Sequence, residues 1–169
     1  TLCLTALLLA LPAFAEEIKI DGVLDEAAWS AAREWTQYYE SIPFSLAAPK
    51  HFQQVLILED EKGMYFGFIN EQANDTIRAN QHQRDDERAN VDKAGVSIDF
   101  DGNGLTAYGF SVSAGGSISD SIYRNENEGN TDWDADWDSA THIAGDAWYA
   151  EIFIPWSVAP MKAQSGDIR

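Results

Sequence analysis

Asp132, Trp133, Asp134, Ala135, Asp136, Trp137 and Asp138 alternate acid with apolar residue, and that spacing suits two kinds of chemistry. In an extended chain successive side chains point to opposite faces, so four carboxylates share one side and two indoles the other. The carboxylates suit a cation or the hydroxyls of a polyol. The indoles suit a protein core or the apolar C–H face of a pyranose ring. Covering roughly 80 Å² of such a face is worth on the order of 2 kcal/mol before the costs of binding. Trp137 adjoins a strand-like run, "SATHI", which favours the core for it. Trp133 follows the polar loop "ENEGNT", where a core role is harder to arrange. Both are carried as ligand-contact candidates, with Asp134, Asp136 and Arg124 as hydrogen-bonding partners at the sugar's edge.

Other motifs carry less. "DFDGNG" at 99–104 matches the first half of a calcium loop, with oxygens at Asp99, Asp101 and Asn103 and glycine in the sixth place. Its twelfth place is Phe110, which offers no carboxylate, so an Asp-Gly-Asn-Gly hairpin turn is the better reading. A structural Ca²⁺ held by loop carboxylates stays open, with no ligand set named. Twenty-eight acidic residues supply carboxylate pairs by chance, so they do not argue for glycoside hydrolysis. No nucleophile elbow, phosphate loop or dinucleotide fingerprint occurs. A haem held by His142 with Met64 or Met161 is a minor alternative.

The net charge of −17 repels phosphate backbones and so argues against a nucleic-acid partner. Residues 1–15 are uncharged, and "TLCLTALLLALPAFA" reads as the apolar part of a secretory signal with cleavage after Ala15. That implies export to the periplasm, the outer membrane or the medium. Cys3, the one cysteine, lies in this segment, which excludes a disulfide-stapled mature domain. Six Trp, six Tyr and eight Phe argue for a folded chain despite the acid.

The elements that must position these residues are mostly strands. "LDEAAWSAAREW" is the one helical stretch, with Asp25 as its expected cap, Trp29 toward the core and Leu24 and Trp35 nearby. Val55–Leu58 and Met64–Ile69 form a hairpin, three strands occupy 95–123, and a last hairpin turns at 144–146. The polar stretch 72–94 is too long for an idle connection and reads as a functional loop. The expected fold is all-β: an antiparallel two-sheet sandwich, jelly-roll-like, with one short N-terminal helix.

"IKIDGVLDEAAWSAA", "VSIDFDGNGLTAYGFSVSAGGSISD", "DWDSATHIAGDAWYAEIFIPW" and the terminal "GDIR" resemble, in order, family 9 carbohydrate-binding-module-like domains. The resemblance covers nearly all of residues 17–169. It implies a non-catalytic sandwich that binds oligo- or polysaccharide beside a glycoside hydrolase, in carbohydrate catabolism. A bacterial subgroup, similar through "RDDERANVDKAGVSIDFD" as well, places such a domain before an outer-membrane barrel, so docking on a C-terminal region beyond residue 169 is a further expectation. Sugar-binding members clamp the ligand between two tryptophans, of which Trp133 or Trp137 matches the later one. The stretch "NEQANDTIRANQHQRDDE" has no aromatic to match the earlier one. Arg84, Asp85, Asp86 and Asp92 fall in the loop that the resemblance places near the ligand. Haem-binding sandwiches are related to the same family, which sustains that alternative.

Overall fold

The computed structural model describes residues 17–86, 88–124 and 128–158. The expected signal segment, Met161 and the terminal "GDIR" lie outside the described residues. Among the described residues, nine antiparallel strands form two sheets. The first sheet holds β1 (Arg33–Trp35), β2 (Gln53–Glu59), β3 (Gly63–Glu71), β8 (Asp138–Ala144) and β9 (Ala147–Pro155), in the order β1-β2-β3-β9-β8. The second holds β4 (Lys93–Ile98), β5 (Thr106–Ser113), β6 (Ile118–Arg124) and β7 (Glu128–Asn130), in sequence order. The all-β sandwich expected from the alternating pattern is present.

The alternation also explains the core. Phe66, Phe68, Trp148, Ala150, Ile152 and Ile154 of the first sheet meet Ala94, Phe110 and Val112 of the second in one buried cluster. The first sheet is apolar on its other face too, because the chain's own start covers it. Ile18, Ile20, Leu24 and Trp29 pack there on Leu56, Tyr65, Leu58 and Phe153. Gly67 makes room: a Cβ there would lie 2.6 Å from Leu24 and 3.2 Å from Trp29.

The helical stretch is a 3-10 turn, Ala27–Ala31, too short to propagate as an α-helix. Glu26, not Asp25, precedes it, and no side chain caps it. Glu26 instead accepts from the Lys19 backbone N–H and from the Trp29 indole N–H. Trp29 is buried as expected, whereas Trp35 is 52% exposed on the edge strand β1.

Under this covering segment lies Glu151, which is fully buried. Its Oε2 accepts the backbone N–H groups of Asp21 (2.8 Å) and Gly22 (2.7 Å), and its Oε1 has no partner. Burial pushes its carboxyl up to about 7; the two N–H bonds pull the other way, and the charges of Glu26 and Asp21 add to the rise.

Candidate functional site

Residues 131–137 run from β7, at one edge of the second sheet, to β8, at the edge of the first, and so close one side of the sandwich. They form no ladder strand, yet the side chains alternate: Asp132, Asp134 and Asp136 are exposed and the apolar residues turn inward. Trp137 is only 7% exposed and meets Phe110 edge-on at 5.5 Å. That overturns it as a ligand platform, because the interior of the sandwich takes its surface. Trp133 is half-buried, edge-on to Tyr108 at 5.2 Å and to Phe110 at 5.9 Å. Only part of its indole is open to contact.

Arg84, from the long loop between β3 and β4, organises the acidic residues. Its guanidinium donates to both oxygens of Asp120 (2.7–3.0 Å) and to the Ala135 carbonyl (3.1 Å), with Asp134 at 2.9 Å. Asp120 is wholly buried, and its Oδ2 also accepts the Ala135 N–H at 2.6 Å. Asp85 accepts the Asp120 backbone N–H at 2.8 Å, with its other oxygen 3.7 Å from Arg84. Partial burial raises the Asp85 carboxyl, the charges of Asp120 and Asp134 add to this, and the Asp120 N–H bond and Arg84 oppose it. Oxygens of Asp85, Asp120 and Asp134 lie within 4.8 Å of one another, a spacing that a cation could use. Here Arg84 supplies the positive charge, and both Asp120 oxygens are already engaged. The network ties the loop, β6 and the 131–137 segment together.

Beside it, the outer face of the second sheet is a shallow groove. The residues facing outward are small: Gly95 and Ser97 on β4, Gly109 and Ser111 on β5, Ser119 and Ser121 on β6. Register sets them in two rows, Gly95–Ser111–Ser119 and Ser97–Gly109–Ser121. A Cβ on Gly95 would lie 2.5 Å from the Phe110 carbonyl oxygen, so the floor cannot thicken there. Tyr123, 40% exposed, walls one end. Its ring spans from Gly109 to Gly129, where added Cβ atoms would sit 3.0 and 3.1 Å from its ring carbons. Lys93, Asp85 and Thr131 line the rim of this cavity of about 350 Å³. A second cavity of about 390 Å³, lined by Gln83, Arg84, Asp86 and Arg88, shares Asp85 and Thr131 with the first.

The remaining sequence candidates scatter. Asp86 lines the second cavity and accepts the Arg88 N–H. Asp92 is spent inside the loop, accepting from Arg78 and Gln72; partial burial works against its charge, but these bonds hold it below the usual carboxylate range. Arg124 and Asp136 are exposed and join neither the groove nor the Arg84 network. Asp99 behaves as a turn residue, its carboxylate accepting the N–H groups of Asp101, Gly102 and Gly104. Gly102 and Gly104 take the positive φ that such a turn needs. The haem pair His142 and Met64 fails on geometry. His142 stands opposite outward-facing Tyr149, and Met64 opposite inward-facing Ile154, so they lie on opposite faces of the sheet.

The serine floor, Tyr123 and Asp120 were not among the sequence candidates. The signal for the floor was legible: in "GVS", "YGFSVS" and "SISDSIY" the outward positions are Gly or Ser instead of charged residues. Comparison with family models, with curated proteins and with solved structures gave no match to this chain.

Proposed function

We propose that the chain is a non-catalytic carbohydrate-binding module whose ligand lies in the groove on the outer face of the second sheet. The observation that carries this reading is Tyr123, a part-exposed ring set at the end of a floor of serine hydroxyls. The ring offers an apolar surface to a pyranose face, and each hydroxyl both donates and accepts, as sugar hydroxyls do. Asp85, Lys93 and Thr131 on the rim add directional contacts. The two joined cavities favour an oligosaccharide over a single sugar. The resemblance to family 9 modules supports the same class, with the platform moved from the tryptophans to Tyr123. Titration with a panel of soluble oligosaccharides tests it. Tyr123→Ala is expected to weaken binding at least tenfold at unchanged fold. Equal binding by wild type and variant refutes the assignment.

A second reading, a domain that docks on another part of a longer chain, rests on a cleft of about 1290 Å³ between the sheets. Ile57, Met64, Phe66, Val96, Ile98 and Phe100 line it. Among the described residues, β4 is paired on one edge only. Hydrogen exchange in a longer chain tests it, since docking would protect β4 amides that exchange freely in residues 1–169.

A further inference from the structure

The connection between β1 and β2 carries an apolar tip that the groove does not use. Tyr39, Ile42, Phe44 and Leu46 are 65%, 91%, 81% and 57% exposed. Single exposed apolar residues are ordinary, but four on one short loop are not. The tip is held in shape. The Glu40 N–H donates to the Ala47 carbonyl (2.9 Å), and the Leu46 N–H donates back to the Glu40 carbonyl (3.0 Å). The Ser45 N–H meets the Pro43 carbonyl at 2.7 Å, and Ser45 Oγ bridges Glu40 and the Ala47 N–H. Leu46 takes φ +54, a left-handed conformation that a leucine holds only when its surroundings impose it.

We propose that this tip inserts into the interfacial layer of a neutral lipid bilayer. Three observations select that occupant. The four side chains expose on the order of 500 Å², below the ~800 Å² per partner of a stable protein interface. Residues 41–49 carry no charge, and Lys50 follows them directly in the chain, a cation that lipid phosphates would attract. The loop also satisfies the N–H groups of residues 40, 45, 46 and 47 internally, and Pro43 has none, which lowers the cost of leaving water. The net charge of −17 selects neutral over anionic lipid. No helix among the described residues is long and apolar enough to cross a membrane, so this contact is interfacial, not spanning.

The test places an environment-sensitive fluorophore at Ser41→Cys in a Cys3→Ser background of the whole chain, with Asn103→Cys as control. With phosphatidylcholine vesicles, the Ser41 probe is expected to brighten about threefold and shift to the blue, while the Asn103 probe stays unchanged. Ile42→Ser with Phe44→Ser should abolish the response at unchanged circular dichroism, and phosphatidylglycerol should weaken it. No response at Ser41, or an equal response at Asn103, overturns the proposal. A response that grows with protein concentration without vesicles also overturns it, in favour of a second copy as the partner.

Discussion

Glu151→Gln is the most informative single substitution in the fold. The native carboxyl stands at about 7 against 4.5 for the free group, a difference equivalent to about 3 kcal/mol. Between those values the native state binds more protons than the unfolded state, so stability falls as pH rises through the window and levels off above it. Glutamine mimics the protonated form: its oxygen can accept from Asp21 and Gly22 while its amide takes the place of Oε1, which has no partner. The extra buried donor costs about 1 kcal/mol. Urea unfolding from pH 4.5 to 8.5 should therefore show the two proteins within about 1 kcal/mol at the acid end. At pH 8 the variant should be more stable by about 2 kcal/mol. Parallel stability curves, or a variant less stable than wild type at pH 8, would refute the account of a carboxyl strained by burial.

Arg84→Ala leaves the buried Asp120 carboxylate without its cation and should cost about 3–5 kcal/mol in denaturant unfolding. Millimolar Ca²⁺ should raise the melting temperature of that variant and leave the wild type unchanged, because the guanidinium no longer competes for the three carboxylates. Trp137→Ala should destabilise by about 3–5 kcal/mol and Trp133→Ala by less, in step with their burial; equal costs would contradict the placement of the two indoles. Gly22→Ala and Gly102→Ala both impose a positive φ on alanine, but only at Gly22 would the Cβ strike backbone, 2.7 Å from the Thr141 carbonyl carbon. Thermal melts should show the Gly22 variant far below the Gly102 variant.

The fold was legible because strand alternation and turn residues agree along the chain. The hairpin at 53–71 and the last hairpin fall where Val55–Leu58, Met64–Ile69 and Ala144-Gly145-Asp146 place them. The site was less legible, for a physical reason. Asp132 to Asp138 has the period of a strand, and period alone does not say whether the indole side faces solvent or core; burial against Phe110 decided it. Arg84 and Asp85 were singled out by their loop, but their partner Asp120 sits mid-strand between serines, and nothing in that neighbourhood marks it as the buried acid of an ion pair. Trp35 leaves the expected helical stretch because residues 33–35 form an edge strand instead of another helical turn.

The segment from Ile18 to Ala32 occupies the outer face of the first sheet, and the groove lies on the far side of the second. The molecule therefore has a back and a front. A tether attached just before residue 17 anchors the back and leaves the serine-paved front open, which is the orientation an immobilised-protein glycan array needs. A tether at Asn130, beside Tyr123, would cover the front and serve as the matched blocked control.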